Sequence, residues 1–547
     1  MFIKRISCVI LLTLLQLSAC YSQQSKEEDY TIVYGNSTIT IQFDENKDTP
    51  VLLSAVDVVT HSNVDFSRTS KTYTLNNLYP SEIVQLEYIF GNEVSNIHRG
   101  FIANSSLSTG TINVYFNHQV DTSYAQIQSA VNLGNTLDDM LITYINACTT
   151  TMDITIYNSY SPSATTGIAG AINAAYTRGV QVRVIYDGST SSVMIPLLNA
   201  AIPRLASPND AAYGIMHNKF VIFDANVADA NKPFVWTGST NWTTVQIDGP
   251  DRNSAIVIQD QTLALGYRIE FEEMWGSSTM TPNAALSKFG PDKTNNTPHA
   301  YNIGGKVVNS YFSPSDGTNS KIISSINSAN TDIDVATMVV TRSDVASALI
   351  NKYNGGLTNT NIVVDSQNPS GNQISTIQSG LAANHAVVYS GSGIMHHKFM
   401  VVDNYNSASD PLVLVGSHNW SSSAENKNDE NILIVHDLNI ANQYFQAFAY
   451  LYQFAGGVLG VNQNQYGNDL VLYPNPSNGI LNIDAVGNNA LTDVEISVYD
   501  VLGNKIYSNR YSNLLHETID LSSQASGMYL INAQSDTKIS HFKVLKQ

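Results

Sequence analysis

Positive charge is in short supply in this chain. Its 547 residues include 27 Lys and Arg against 45 Asp and Glu, a formal charge of −18. That balance disfavours non-specific attraction to nucleic acid or to an anionic membrane, although a local basic pocket can override the average. Charged residues together make up only 13% of the chain and hydrophobic ones 43%, which describes folded globular material and excludes a disordered polyelectrolyte. Cysteine is rarer still, with Cys8, Cys20 and Cys148 alone. Long apolar runs are missing beyond the N-terminus, so no permanent membrane-spanning helix is expected.

The one apolar run that does occur is Val9 to Leu15, preceded by Lys4 and Arg5 and followed by Ser18-Ala19. A positive start, a short apolar middle and a small-residue exit predict a secretory signal over 1–22. Leu17-Ser18-Ala19-Cys20 also resembles a lipoprotein box, which would lipidate Cys20; cleavage after Ser22 is the preferred reading. It leaves Cys148 as the sole thiol, so no intrachain disulfide can form, and it moves the charge to −20.

A chain of this length is expected to hold two to four domains. Short alternating runs such as Thr38-Ile39-Thr40-Ile41-Gln42-Phe43 fill 28–105 and predict an all-β sandwich. Within it, Tyr73-Thr74-Leu75-Asn76-Asn77-Leu78-Tyr79-Pro80 resembles the corner of fibronectin type III domains, with Val84 where that family usually carries a second Tyr. The middle changes period. Apolar residues at helical spacing over 122–147 lead into a strand at Met152–Tyr157, then a helix over Gly167–Tyr176 and a strand over Val180–Tyr186. Such alternation predicts α/β layers.

That unit occurs twice. The stretch Ile145–Ile154 aligns without gaps on Ile326–Val335, an offset of 181, and Gly214-Ile215-Met216-His217 recurs as Gly393-Ile394-Met395-His396. Offsets this long predict two packed lobes, 108–276 and 306–460, joined by a polar connector over 277–305. The closing segment, 468–547, returns to short β runs. Its Tyr473-Pro474-Asn475-Pro476, Val498-Tyr499-Asp500-Val501-Leu502-Gly503, Gly527-Met528-Tyr529-Leu530 and Lys543-Val544-Leu545-Lys546 together resemble the C-terminal sorting domain of the type IX secretion system, a β-sandwich. The resemblance implies a secreted or cell-surface protein, exported across the outer membrane by that machinery.

Each lobe carries one chemical motif. The first reads His217-Asn218-Lys219, four residues, Asp224, then Gly238-Ser239-Thr240-Asn241-Trp242; the second reads His396-His397-Lys398, four residues, Asp403, then Gly416-Ser417-His418-Asn419-Trp420. The apolar fillers read as buried strands, on which His and Lys two apart face one side and can meet a single phosphate. Imidazole suits both nucleophilic and proton-transfer work because its pKa lies near neutrality.

Here the chain resembles the phospholipase D superfamily across about 108–460. The resemblance implies two lobes whose motifs face one pocket, one His forming a phosphohistidine and the other protonating the leaving oxygen. Lys219, Lys398, Asn241 and Asn419 would hold the phosphate oxygens, with Ser239 and Ser417 as further hydrogen-bond donors. Asp224 and Asp403 take a supporting role at the strand ends. A carboxylate downstream of each motif orients one His in the family. Glu430 matches that position, and Asp251 lies 34 residues past His217 as Glu430 lies past His396; aligning Asn253 with Asn431 would instead put Arg252 opposite Glu430. His217 is the expected nucleophile. The family needs no metal, and no cofactor is expected. His397 and His418 read as pocket or surface residues, and Glu270-Phe271-Glu272-Glu273 as a solvated helix face. The implied reaction is hydrolysis of a phospholipid head-group diester, with an extracellular nuclease or a catalytically silent surface binding protein as the alternatives. With both motifs in one chain, an oligomer is not required to complete the site.

Overall fold

A computed structural model describes residues 24–546 apart from 28, 36, 160–161, 367–368, 405, 407, 460–469, 475–476, 486–489 and 535–538. The expected signal segment, 1–22, lies outside the described residues.

Hydrophobic alternation along the strands organises the centre into two eight-stranded mixed sheets. In the first lobe the strands are β1 Ile112–Phe116, β2 Val131–Asn132, β3 Thr151–Ile156, β4 Gln181–Tyr186, β5 Arg204–Ala206, β6 Lys219–Phe223, β7 Phe234–Gly238 and β8 Ser254–Ile258, ordered β2-β1-β8-β7-β6-β3-β4-β5. In the second they are β9 Ala300–Ile303, β10 Lys306–Ser313, β11 Ile333–Thr337, β12 Thr360–Asp365, β13 Ala386–Tyr389, β14 Lys398–Val402, β15 Leu412–Gly416 and β16 Glu430–His436, ordered β9-β10-β16-β15-β14-β11-β12-β13. From β1 and β10 onward the two orders correspond strand for strand.

Successive residues of a strand point to opposite faces. Thus Phe220 and Ile222 enter a core shared by both lobes, while Val221 and Phe223 enter one confined to the first lobe. Phe399 and Val401 join the shared core, whereas Met400 and Val402 pack into the second lobe's own. Two long helices, α1 Gln261–Trp275 and α2 Leu438–Phe454, supply much of the shared core, including Phe271, Trp275, Phe445 and Phe448. Because they are packed between lobes, even α1's acidic run is not a solvated face. Glu270 is buried and paired with Lys293, which also faces Asp429 at 3.6 Å; Glu272 binds Arg183 and Arg268, and Glu273 binds Lys288.

Two expected boundaries move. The helical run begins only at Leu137, because Gly134, with φ of 57°, turns the chain just before it. The connector expected over 277–305 ends earlier, since Ala300–Ile303 pairs antiparallel with Lys306–Asn309 through a Gly304-Gly305 turn.

Ahead of the lobes, a five-stranded and a three-stranded antiparallel sheet enclose one core, with Ile32, Ile41 and Leu75 from the first and Leu52, Leu86 and Ile102 from the second. After them, the C-terminal segment is mostly strand, in sheets of three and four around Ile483, Ile496, Val498 and Ile531.

Candidate active site

The two lobes meet by exchanging backbone. The loop before β6 runs beside the loop before β16, with His217 N donating to Asp429 O at 2.9 Å and Asp429 N to Ile215 O at 3.0 Å. The second lobe repeats the pattern against the first: Arg252 N donates to Ile394 O at 2.7 Å and His396 N to Arg252 O at 2.9 Å. Two glycines permit the approach. Gly214 and Gly393 have φ of 65° and 75°, and a Cβ on Gly393 would lie 2.2 Å from Pro250 O.

This crossing brings the motif residues together and decides what stands behind each imidazole. His217 Nδ1 lies 2.6 Å from Glu430 Oε2, a residue of the other lobe. His396 Nδ1 lies 3.0 Å from Asn253 Oδ1, again across the lobe boundary. Both acceptors require the ring proton on Nδ1, which leaves each Nε2 as the reactive nitrogen.

Asp251, expected to orient a histidine, does not touch one. Its Oδ1 accepts from Ile394 N at 2.8 Å, and the counterpart contact in the other half is Ile215 N to Asn428 Oδ1. The physical reason is strand register. Gly238 pairs with Ala255 and Gly416 with Ile432, so the strands place Asn253 opposite Glu430. The first lobe has one extra residue between His217 and Gly238 and a second between Gly238 and Ala255, and counting along the sequence cannot locate either.

The remaining site residues divide by role. Lys219 and Lys398 are buried, and each Nζ donates to the carbonyl of its own motif His at 2.6 Å. Asn241 and Asn419 each keep a buried Oδ1 without a hydrogen-bond partner, while Asn241 Nδ2 donates to Gln246. Ser239 Oγ donates to Asn253 Oδ1 at 2.9 Å, and Ser417 bonds Glu430, so the serines brace the acceptors behind the imidazoles instead of opening onto a ligand. Asp224 and Asp403 end their strands at φ of 53° and 55° and collect backbone N–H groups from Thr149–Thr151 and Asn330–Asp332. They tie the motif strand to the start of its neighbour and face neither histidine.

Asp187 and Asp365 were not singled out by sequence. Each accepts the N–H just before a motif histidine, from Met216 at 2.8 Å and Met395 at 2.7 Å. Their signal was available: both sit at the end of a strand of the repeated unit, Asp187 just after Tyr186 and Asp365 as the last residue of its strand. Tyr157 packs edge-on to His217 at 4.7 Å and under Lys219 Nζ at 5.2 Å. His397 and His418 are buried, not on the surface. His397 turns from the pocket to meet His118 at 2.6 Å in the inter-lobe core, and His418 Nε2 lies 2.9 Å from Thr318 Oγ1.

Electrostatically the pocket is governed by burial, which outweighs the pull of Glu430 and Asp187 on Lys219 and of Glu430, Asp365 and Asp251 on Lys398. Burial, then Lys219 and Lys398, holds the His217 imidazole well below its ordinary pKa, and burial with the same lysines does so for His396. Burial lowers Lys219 to about 7 and holds Lys398 well below the ordinary lysine value. Glu430 is the carboxylate in contact with a motif histidine, and burial raises it. Two neutral imidazoles and two desolvated amines suit a phosphate anion, whose charge would bring the lysines back to their protonated form.

Comparison with known proteins agrees with this geometry. Residues 141–275 and 322–452 both match the family model for "Cardiolipin synthase, PLD-like domain". The central region belongs to the phospholipase D superfamily. Residues 471–547 match the "Secretion system C-terminal sorting domain", which places the protein outside the cell or at its surface. Among curated relatives, mitochondrial cardiolipin hydrolase of Xenopus tropicalis is 32% identical over 26% of this chain and 61% of its own. The human protein of that name is 27% identical over 32% of this chain and 65% of its own. The chain thus spans less than two thirds of the length of these relatives. Solved structures similar to it include the phospholipase D family member Nuc from Salmonella typhimurium (21% identity, 30% of this chain and 94% of that one, TM-score 0.23). Phosphatidylserine synthase from Haemophilus influenzae is another (14% identity, 58% and 83%, TM-score 0.41).

Proposed function

We propose that this protein is a secreted phospholipase D-type phosphodiesterase that hydrolyses the head-group diester of phospholipids. The observation that carries the reading is the pair of imidazoles, each oriented by an acceptor from the opposite lobe and each beside a buried lysine.

His217 is the nucleophile in this reading. His396 takes up a proton on Nε2 when the diester anion binds beside it; His217 Nε2 then attacks phosphorus while the bond to the leaving oxygen breaks, and His396 delivers that proton to the oxygen. Water then gives a proton to His396 Nε2 and attacks phosphorus, breaking the P–N bond and freeing His217. The Glu430 carboxylate suits the first role, because it stabilises the positive ring of a phosphohistidine. The Asn253 amide suits the second, because a neutral acceptor leaves the His396 imidazolium the stronger acid. Lys219 and Lys398 hold the non-bridging oxygens as charge builds, and Asn241 and Asn419 would join them by turning their amides so that Nδ2, in place of the unpartnered Oδ1, faces the phosphate.

Two features favour lipid over nucleic acid. His217 and His396 are only 4% and 5% exposed, and so little accessible surface at the imidazoles suits a single phosphate head group better than a rigid duplex. The chain's formal charge of −18 also opposes a polyanion. The N-terminal sheets, read as a fibronectin type III-like sandwich over 28–105, would serve as a spacer or binding module.

The test compares the parent with His217→Ala and His396→Ala on phosphatidylcholine vesicles and on single- and double-stranded DNA, with EDTA present. Head-group release by the parent alone supports the reading. DNA cleavage without lipid turnover moves the protein to nuclease, and turnover of neither overturns the enzymatic reading.

A further inference from the structure

The Tyr73–Pro80 stretch has no part in the phosphate site, yet its loop is built with care. Where the N-terminal sheets lean on the first lobe, a groove of about 690 Å³ opens, with Ala225, Asn226 and Leu265 of the lobe among its walls. This is the far end of β6 from His217, about 20 Å away at the rise of a strand.

Tyr79 stands on the lip of this groove and is 77% exposed. Its backbone is nevertheless pinned: Tyr79 N donates to Glu82 Oε2 at 2.7 Å, and its carbonyl accepts from Asn104 Nδ2 at 2.7 Å and Glu82 N at 3.2 Å. Left-handed residues on either side, Asn77 at φ 58° and Ser81 at φ 64°, set the turn. The backbone that carries this exposed aromatic face is therefore fixed, which lowers part of the ordering cost of binding. On the facing loop Val59 is also exposed, and its N–H is fixed by Asp57 Oδ1 at 3.0 Å.

The chemistry of the lining selects the ligand. No Lys, Arg or His is among the described residues that line the groove, which argues against phosphate or sulfate groups. Of its carboxylates, Asp57 and Glu82 are occupied by backbone N–H groups, which leaves Asp65 alone and makes a poor cation site. Asn63, Asn77 and Asn226 remain, exposed and with no side-chain hydrogen bond among the described residues. Carboxamides donate and accept equally, as ring hydroxyls do, and a flat aromatic face packs against C–H bonds. A cleft of this volume with a few convergent polar groups has the dimensions of a ligand site.

We propose that the groove between the N-terminal sheets and the first lobe binds a neutral glycan, with Tyr79 as its stacking platform and Asn63, Asn77 and Asn226 as its hydrogen-bonding groups. It would tether the exported protein to a carbohydrate-bearing surface and leave the phosphate site free. The proposal stands independently of the lipid reading.

The test is affinity electrophoresis of the full chain in gels containing laminarin, starch, xylan or galactomannan, with dextran sulfate and chitosan for comparison. Retardation by at least one neutral polysaccharide is expected, weakened at least fivefold by Tyr79→Ala and by Asn63→Ala but kept by Tyr79→Phe. Phosphodiesterase turnover should be unchanged in all three variants. Absence of retardation by every neutral polysaccharide, equal retardation of Tyr79→Ala, or retardation by chitosan or dextran sulfate alone would each overturn it.

Discussion

At the scale of single residues, the informative difference is between the two acceptors behind the imidazoles. A carboxylate stands behind His217 and an amide behind His396, although the motifs around them are nearly the same. Replacing Glu430 with Gln should keep the hydrogen bond but remove the charge that stabilises a phosphohistidine, lowering kcat on the order of 100-fold with KM little changed. Converting Asn253 to Asp should make His396 a weaker acid and move the basic limb of kcat upward by about one pH unit or more; an unmoved limb would count against His396 as the acid. Lys219 supplies a separate pH effect. Burial brings it to about 7, so it is an ammonium below that pH and loses its charge above it. Capture of a diester anion should therefore weaken as pH rises through 7, read as a falling kcat/KM, and Lys219→Met should flatten that limb while lowering kcat/KM throughout.

At the scale of elements, the motif aspartates and glycines act through backbone. Asp224 and Asp403 each cap the loop before the neighbouring strand, so Asp224→Ala strands several buried N–H groups at a cost of about 3 kcal/mol. The expected outcome is a clear fall in Tm with turnover per folded molecule largely kept; loss of turnover at unchanged Tm would make Asp224 a chemical participant. Gly393→Ala should be more damaging, because the added Cβ meets the Pro250 carbonyl where the lobes cross. The motif strands, the two lobes and the duplicated unit were legible because their signals are local: a spacing of two, apolar fillers, a repeated decapeptide. The orienting partner of His396 was not. It depends on how β7 pairs with β8, and two single-residue insertions shift that register away from any constant offset.

At the scale of the whole molecule, the lobes form one catalytic unit. Each histidine takes its backbone hydrogen bond and its side-chain acceptor from the other lobe, so neither half is expected to hold a competent site alone. Beneath the crossing, Lys293 of the connector is buried between Glu270 and Asp429. Burial raises Glu270 to about 8 and Asp429 to about 7 even beside this lysine. Lys293→Met would leave two carboxylates without their cation and should cost about 3–5 kcal/mol, seen as a lower Tm and a lower denaturant midpoint. An unchanged Tm would mean that the carboxylates are neutral in the parent. Removing 471–547 should abolish export while leaving turnover by the purified remainder intact.

What the sequence alone determined is whatever is written in contiguous residues: the two motifs, their duplication, the strand–helix alternation and the sorting segment. Only the tertiary structure decided which acceptor stands behind which histidine, that the motif serines brace those acceptors, and that an acidic helix face is interior. Those outcomes are set by strand register, by the packing of the helices and by the crossing of two lobes, none of which is written in a contiguous stretch of residues.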